Sequence, residues 1–191
     1  MSSPASTRQH DGTISGRIRV WDPLVRVLHW SLVTGVAVAW LTEDGPGKLH
    51  EGAGYVALGV VAIRGLWGFI GPAFTRFRSF VRPKAETLDY AKAVLHGNEP
   101  RHLGHNPLGG WMIVALLLTV AATGGTGWLY TTDMFWGIKW MEGVHETFAN
   151  LLLVLIALHV GGVIFTSIRQ RENLVAAMIH GHKERRPGDA I

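Results

Sequence analysis

The sequence reads as an all-α integral membrane four-helix bundle, and three observations carry that reading. Of its 191 residues 48% are apolar and only 17% charged, against about 25% charged in ordinary globular chains. The apolar residues gather into four blocks of about 19 to 26 residues, and about 20 helical residues cross a hydrocarbon core. All but two of the 18 Lys and Arg, the exceptions being Lys48 and Lys139, flank those blocks on a single side. Soluble helices greasy on every face would leave such a small domain too little polar surface to cover them.

Residues 1–20 form a polar tail without the apolar core of a secretory signal. The first block runs from Pro23 to Leu41, with Asp22 as N-cap and Pro23 at the first helical position, where its missing N–H costs nothing. The second runs from His50 to Ile70 and stops at Gly71 and Pro72. Between Arg76 and Asn106 the chain turns polar, with a short amphipathic helix expected around Ala85 to Leu95. Asn106 and Pro107 repeat the cap-plus-proline start for a third block reaching Tyr130, and the fourth extends from Gly143 to Ile168. The chain therefore divides into a tail (1–20), a four-span domain (21–170) and a basic C-terminal tail (171–191).

The Lys and Arg distribution places both termini in the cytoplasm and the protein in a bacterial inner membrane. Trp21, Trp67 and Trp111 mark the inner boundary, and Trp40, Trp128, Trp136 and Trp140 the outer one. The formal charge of +4 points to membrane lipid rather than nucleic acid, because the basic residues border apolar segments and form no aromatic-interleaved patch. Zero cysteines exclude disulfides, thiolate metal sites, iron–sulfur clusters and thioether-linked haem. Histidine is then the side chain to follow.

Ionisable residues inside membrane spans are expensive and rare. Four histidines qualify: His29, His50, His145 and His159. His145 and His159 lie fourteen residues apart on one span, about 21 Å of rise and nearly on one face. His29 matches His159 in depth, and His50 opens the second span at the level where His145 opens the fourth. Two transverse pairs result. A metal closed by protein alone needs three or four ligands, whereas a haem brings four nitrogens and needs one axial ligand on each face. Two bis-histidine haems b account for all four residues, with no open iron position. Arg64, at the inner depth, is a candidate partner for a haem propionate or a snorkelling arginine, and the many glycines of the spans serve either haem clearance or close helix packing. His10, His96, His102, His180 and His182 read as solvated, and His105 as part of the turn before the third span.

The stretches VWDPLVRVLHW (residues 20–30), His50 to Gly71 with its RGLWGFIG end, GHNPLG (104–109) and GVHETFANLLLVLIALHV (143–160) resemble the prokaryotic cytochrome b561 family, which includes the b-type cytochrome subunit of nickel–iron hydrogenases. The resemblance spans most of the chain outside the tails. It implies two haems b, with His29 paired to His159 and His50 to His145, and electron transfer between a redox partner and membrane quinone. That partner would be a periplasmic cytochrome c or a hydrogenase or dehydrogenase subunit. An alternative within the family is a stand-alone quinone-linked enzyme such as a superoxide:quinone oxidoreductase. A quinone site along Asp133 to Glu142, with Trp136 and Trp140, competes with an interfacial anchor. A histidine-using metal or proton transporter is the reading from another class, and the lack of acidic residues in mid-span counts against it.

Overall fold

The computed structural model of the chain describes residues 16–45 and 47–190; Arg8 and His10 lie outside them. Four helices are long and apolar enough to cross a membrane: α1 (Pro23–Leu41), α2 (Gly47–Ile70), α5 (Pro107–Tyr130) and α6 (Lys139–Arg169). Two begin as their sequences dictate. Asp22 accepts from the backbone N–H groups of Leu24 (2.9 Å) and Val25 (3.3 Å) at the head of α1, and Asn106 accepts from Gly109 (2.7 Å) at the head of α5. The fourth span starts a turn earlier than its apolar run, because Lys139 and Glu142 pair at 3.0 Å and let the first turn project beyond the apolar block.

A 3-10 turn (Ala73–Thr75), the four-residue α3 (Phe77–Phe80) and α4 (Lys84–His96) fill the connection between α2 and α5. α4 covers the short amphipathic helix expected there and ends on Gly97, at φ +77°. α3 lies against the start of α5 at Gly110, where any Cβ would run into the Phe80 backbone.

The tightest packing is α5 on α6 and α1 on α2, and α2 on α5 joins the two pairs; α1 and α6 do not pack extensively on each other. Ala57, Val120 and Leu152 form the centre, ringed by Leu32, Val36, Val61, Leu116 and Ile156. Small residues permit the close crossings: Gly35 faces the Ala53 carbonyl and Ala57, and Gly124 sits under Leu58. The threonines of α5 fold their hydroxyls back on the helix, as Thr119 does to the Ala115 carbonyl at 2.8 Å, so they add no unpaired donor in an apolar environment.

The segments on either side of the four spans carry structure of their own. Their near ends are folded: β1 (Arg17–Arg19) pairs antiparallel with β2 (His182–Glu184), and α7 (Leu174–His180) lies between α6 and β2. Val20, Trp21, Leu103 and Ala177 are buried together, with Ile18, Phe74 and Met178 against them. Arg101 joins this cap by ion pairs to Asp189 (2.6 Å) and Glu172 (2.8 Å), and Lys183 reaches Glu172 at 3.3 Å. Three-residue strands carry no readable periodicity, and the apolar residues that bury one another are far apart in sequence, so composition alone made these stretches look free. The cap closes the bundle end from which α1 departs and to which α6 returns, here called the near end.

Candidate functional site

The four span histidines fall on three helices and at two levels. His50, in the first turn of α2, faces His145 of α6 at the far end, with ring centroids 6.0 Å apart and planes at 79°. His50 Nδ1 lies 2.8 Å from the Ala39 carbonyl and His145 Nδ1 lies 2.9 Å from the Thr123 carbonyl. A carbonyl only accepts, so both Nδ1 atoms donate, which leaves each Nε2 as the free lone pair. Metal–imidazole bonds of about 2 Å on each side, with ring centres about 1 Å further back, span close to that separation. Gly127 lies beside this pair, and a Cβ there would come within 3.0 Å of the His145 ring.

At the near level, His29 of α1 and His159 of α6 lie close enough to interact electrostatically. They stand on the two helices that do not close on each other, and His29 Nδ1 is buried without a hydrogen-bond partner. Arg64 of α2 is 6% exposed. Its guanidinium donates to the Thr75 carbonyl (3.2 Å) and lies 5.4 Å from the centre of the Phe77 ring, while its Nη1 is buried and unpaired. It points into the protein, not out to headgroups. Among the described residues no carboxylate pairs with it, so a buried positive charge is left to be met by an anion.

Among the described residues no group of three or more His, Cys, Asp or Glu could hold a metal ion. Two imidazoles per level suit a group that supplies its own equatorial nitrogens, and the buried Arg64 suits one that also carries carboxylates. A family model described as prokaryotic cytochrome b561 matches residues 20–181. The chain belongs to the prokaryotic cytochrome b561 family. It is accordingly a multi-pass protein of the bacterial inner membrane, a b-type cytochrome that binds haem b and serves electron transfer. No curated protein matches the chain.

The remaining histidines divide. His96, His180 and His182 are exposed or nearly so, bonded to backbone within their own segments. His102 departs from the solvated reading: it is half-buried, edge-on to Tyr90 at 5.2 Å, and 3.1 Å from the Pro100 carbonyl. His105 was legible only as a turn residue. In the structure it sits beneath the near end between Trp21 and Phe80, with ring centroids at 4.5 and 4.8 Å, its Nδ1 buried and unpaired. Burial first, and then the Arg64 charge, push this imidazole down to about 3, so it is neutral. The signal for it was its place in GHNPLG: a residue just before an N-cap lies at the helix mouth, here the mouth of the near level. At the far end Trp136 stacks on Tyr130 and stays mostly exposed, and Trp140 meets Phe135 edge-on, as rim residues do.

Proposed function

We propose that the chain is a two-haem electron carrier that moves electrons across the membrane, with both termini cytoplasmic and quinone as its membrane partner. The far haem is held by His50 and His145 and the near haem by His29 and His159. The observation that carries this reading is the far pair: two imidazoles 6.0 Å apart, each with its Nδ1 tied to a backbone carbonyl. When bound, haem supplies one-electron chemistry at an iron whose axial positions are both filled. The chain's own part is to fix ligand tautomers at the far level, to keep water out with the α2, α5 and α6 core, and to offset carboxylate charge at the near level with Arg64.

Purified protein is expected to hold close to two low-spin haems b per chain. His159→Ala should lose the near haem and keep the far one, read by pyridine haemochrome stoichiometry and low-temperature spectra. Fewer than one haem in carefully prepared protein, or selective loss of the far haem in that variant, would overturn the reading.

A second reading, a stand-alone quinone-linked oxidoreductase using a small far-side donor such as superoxide, draws on the short far connections between α1 and α2 and between α5 and α6, at the same end as the His50 and His145 pair. Loops so short offer a protein partner little surface. Steady-state reduction of a ubiquinone analogue by superoxide separates the two.

A further inference from the structure

The near level is rich in donors and poor in acceptors. Arg64 Nη1, Trp67 Nε1, His105 Nδ1 and His29 Nδ1 are all buried without a hydrogen-bond partner. The groups that act electrostatically on His105 are Arg64, Lys183, His159 and His29, with no carboxylate among them. The near-end acids are engaged elsewhere: Asp189 and Glu172 by Arg101 and Lys183, and Asp22 by the α1 N-terminus. Leaving a buried polar atom unpaired is costly. Arg64 and Trp67 only donate, and each histidine carries an N–H when its proton sits on Nδ1, so the cluster suits an anion.

His105 is built into this place. Asn106 and Pro107 start α5 and fix the turn, and the imidazole lies in a slot between Trp21 and Phe80. Trp21 belongs to the segment between β1 and α1, and Phe80 ends α3, so three separate stretches hold one ring. Packing alone would be served as well by a phenyl group. An imidazole adds two ring nitrogens, one of which carries an N–H that a phenyl lacks.

We infer that His105 donates a hydrogen bond to a carboxylate of the near haem, sharing that anion with Arg64. This rests on the two-haem reading and assigns a residue outside the four axial ligands. His105 touches no iron; it acts on the haem edge, offsetting the carboxylate charge and so favouring the reduced state. Removing the N–H leaves more uncompensated negative charge beside the iron, which favours the oxidised form.

The test uses the full chain with its haems, in His105→Phe, His105→Gln, His29→Ala and wild-type forms. His29→Ala identifies the near haem's spectrum by its loss. In His105→Phe, which fills the aromatic slot, both haems should remain. The near haem's reduced-to-oxidised ratio at fixed potential should fall about tenfold, equivalent to about 59 mV for a one-electron couple. The haem carboxylate bands in redox infrared difference spectra should move as well. His105→Gln, which restores an N–H, should recover part of both shifts and covers the case in which the Phe variant does not assemble. An unchanged near-haem potential in His105→Phe would make the residue a packing group and overturn the inference. A changed potential with unmoved haem carboxylate bands would also overturn it, by assigning the anion to a lipid or free phosphate. If His29→Ala loses no haem, the two-haem reading itself fails, which is a separate outcome visible before His105 is touched.

Discussion

The two histidine levels solve one problem in different ways. At the far level two imidazoles are set in advance: the His50 and His145 ring centroids are 6.0 Å apart, and each ring is braced by a carbonyl of a neighbouring helix, Ala39 of α1 or Thr123 of α5. At the near level His29 has no such brace, and the surroundings instead hold a buried guanidinium, an aromatic-caged imidazole and a folded cap. On the proposed reading, one level would position the iron through its two histidines. The other would receive the cofactor through its charged edge. The difference follows from location, because the far level lies under short loops with few charges to offer, while the near level borders the basic end of every span.

Three substitutions test that contrast. Arg64→Met should have the largest effect: a carboxylate left buried without its cation costs about 3–5 kcal/mol, so near-haem affinity should drop at least about a hundredfold with the far haem retained. Haem stoichiometry and the far-haem spectrum check this, and equal loss from both levels would erase the distinction. Arg101→Ala should come next. It leaves Asp189 and Glu172 short of their partner and should raise amide hydrogen exchange across α7 and β2 by about tenfold or more, with α2 and α5 unchanged.

The cap has a pH signature too. Burial would raise the Asp189 carboxyl, but hydrogen bonds from Arg101 and from the Arg186 backbone outweigh it and hold it below the usual carboxylate value. Its contribution is therefore complete above the unfolded value, about pH 4, and is lost only as pH falls through the lower folded value. Exchange in α7 and β2 should be flat from about pH 8 to 5 once corrected for intrinsic rates. The smallest effect belongs to Gly127→Ala. Its Cβ would press on the His145 ring by a few tenths of an ångström, an off-rotamer cost of about 0.5–1.5 kcal/mol. A few-fold weakening of the far haem alone, with a shifted far-haem electron paramagnetic resonance signal, is the expected result.

The four spans were legible because membrane insertion writes itself in one dimension: length, apolarity and capping of α1 and α5 are local. The level of each histidine was legible for the same reason, since helical rise converts sequence spacing to depth. Arg64 could be named but not aimed; its burial depends on the turn at Thr75 and the ring of Phe77, which come after α2 ends. His105 and the cap were hidden by distance in sequence. Trp21, Phe80 and His105 meet across more than eighty residues, and β1 finds β2 across most of the chain. Only a tertiary arrangement makes such groups neighbours, and no periodicity announces it.

The clasp of β1 on β2 also gives assembly an order. Its two halves, residues 17–19 and 182–184, lie on opposite sides of the four spans in sequence, so β1 is made well before β2. It cannot close until α6 has emerged and inserted. α1 and α6 do not pack extensively on each other, so on the proposed pairing a flat cofactor would seat between His29 and His159 before the clasp shuts. β2, made after the fourth span, would then act as a latch on a door that the first span leaves ajar.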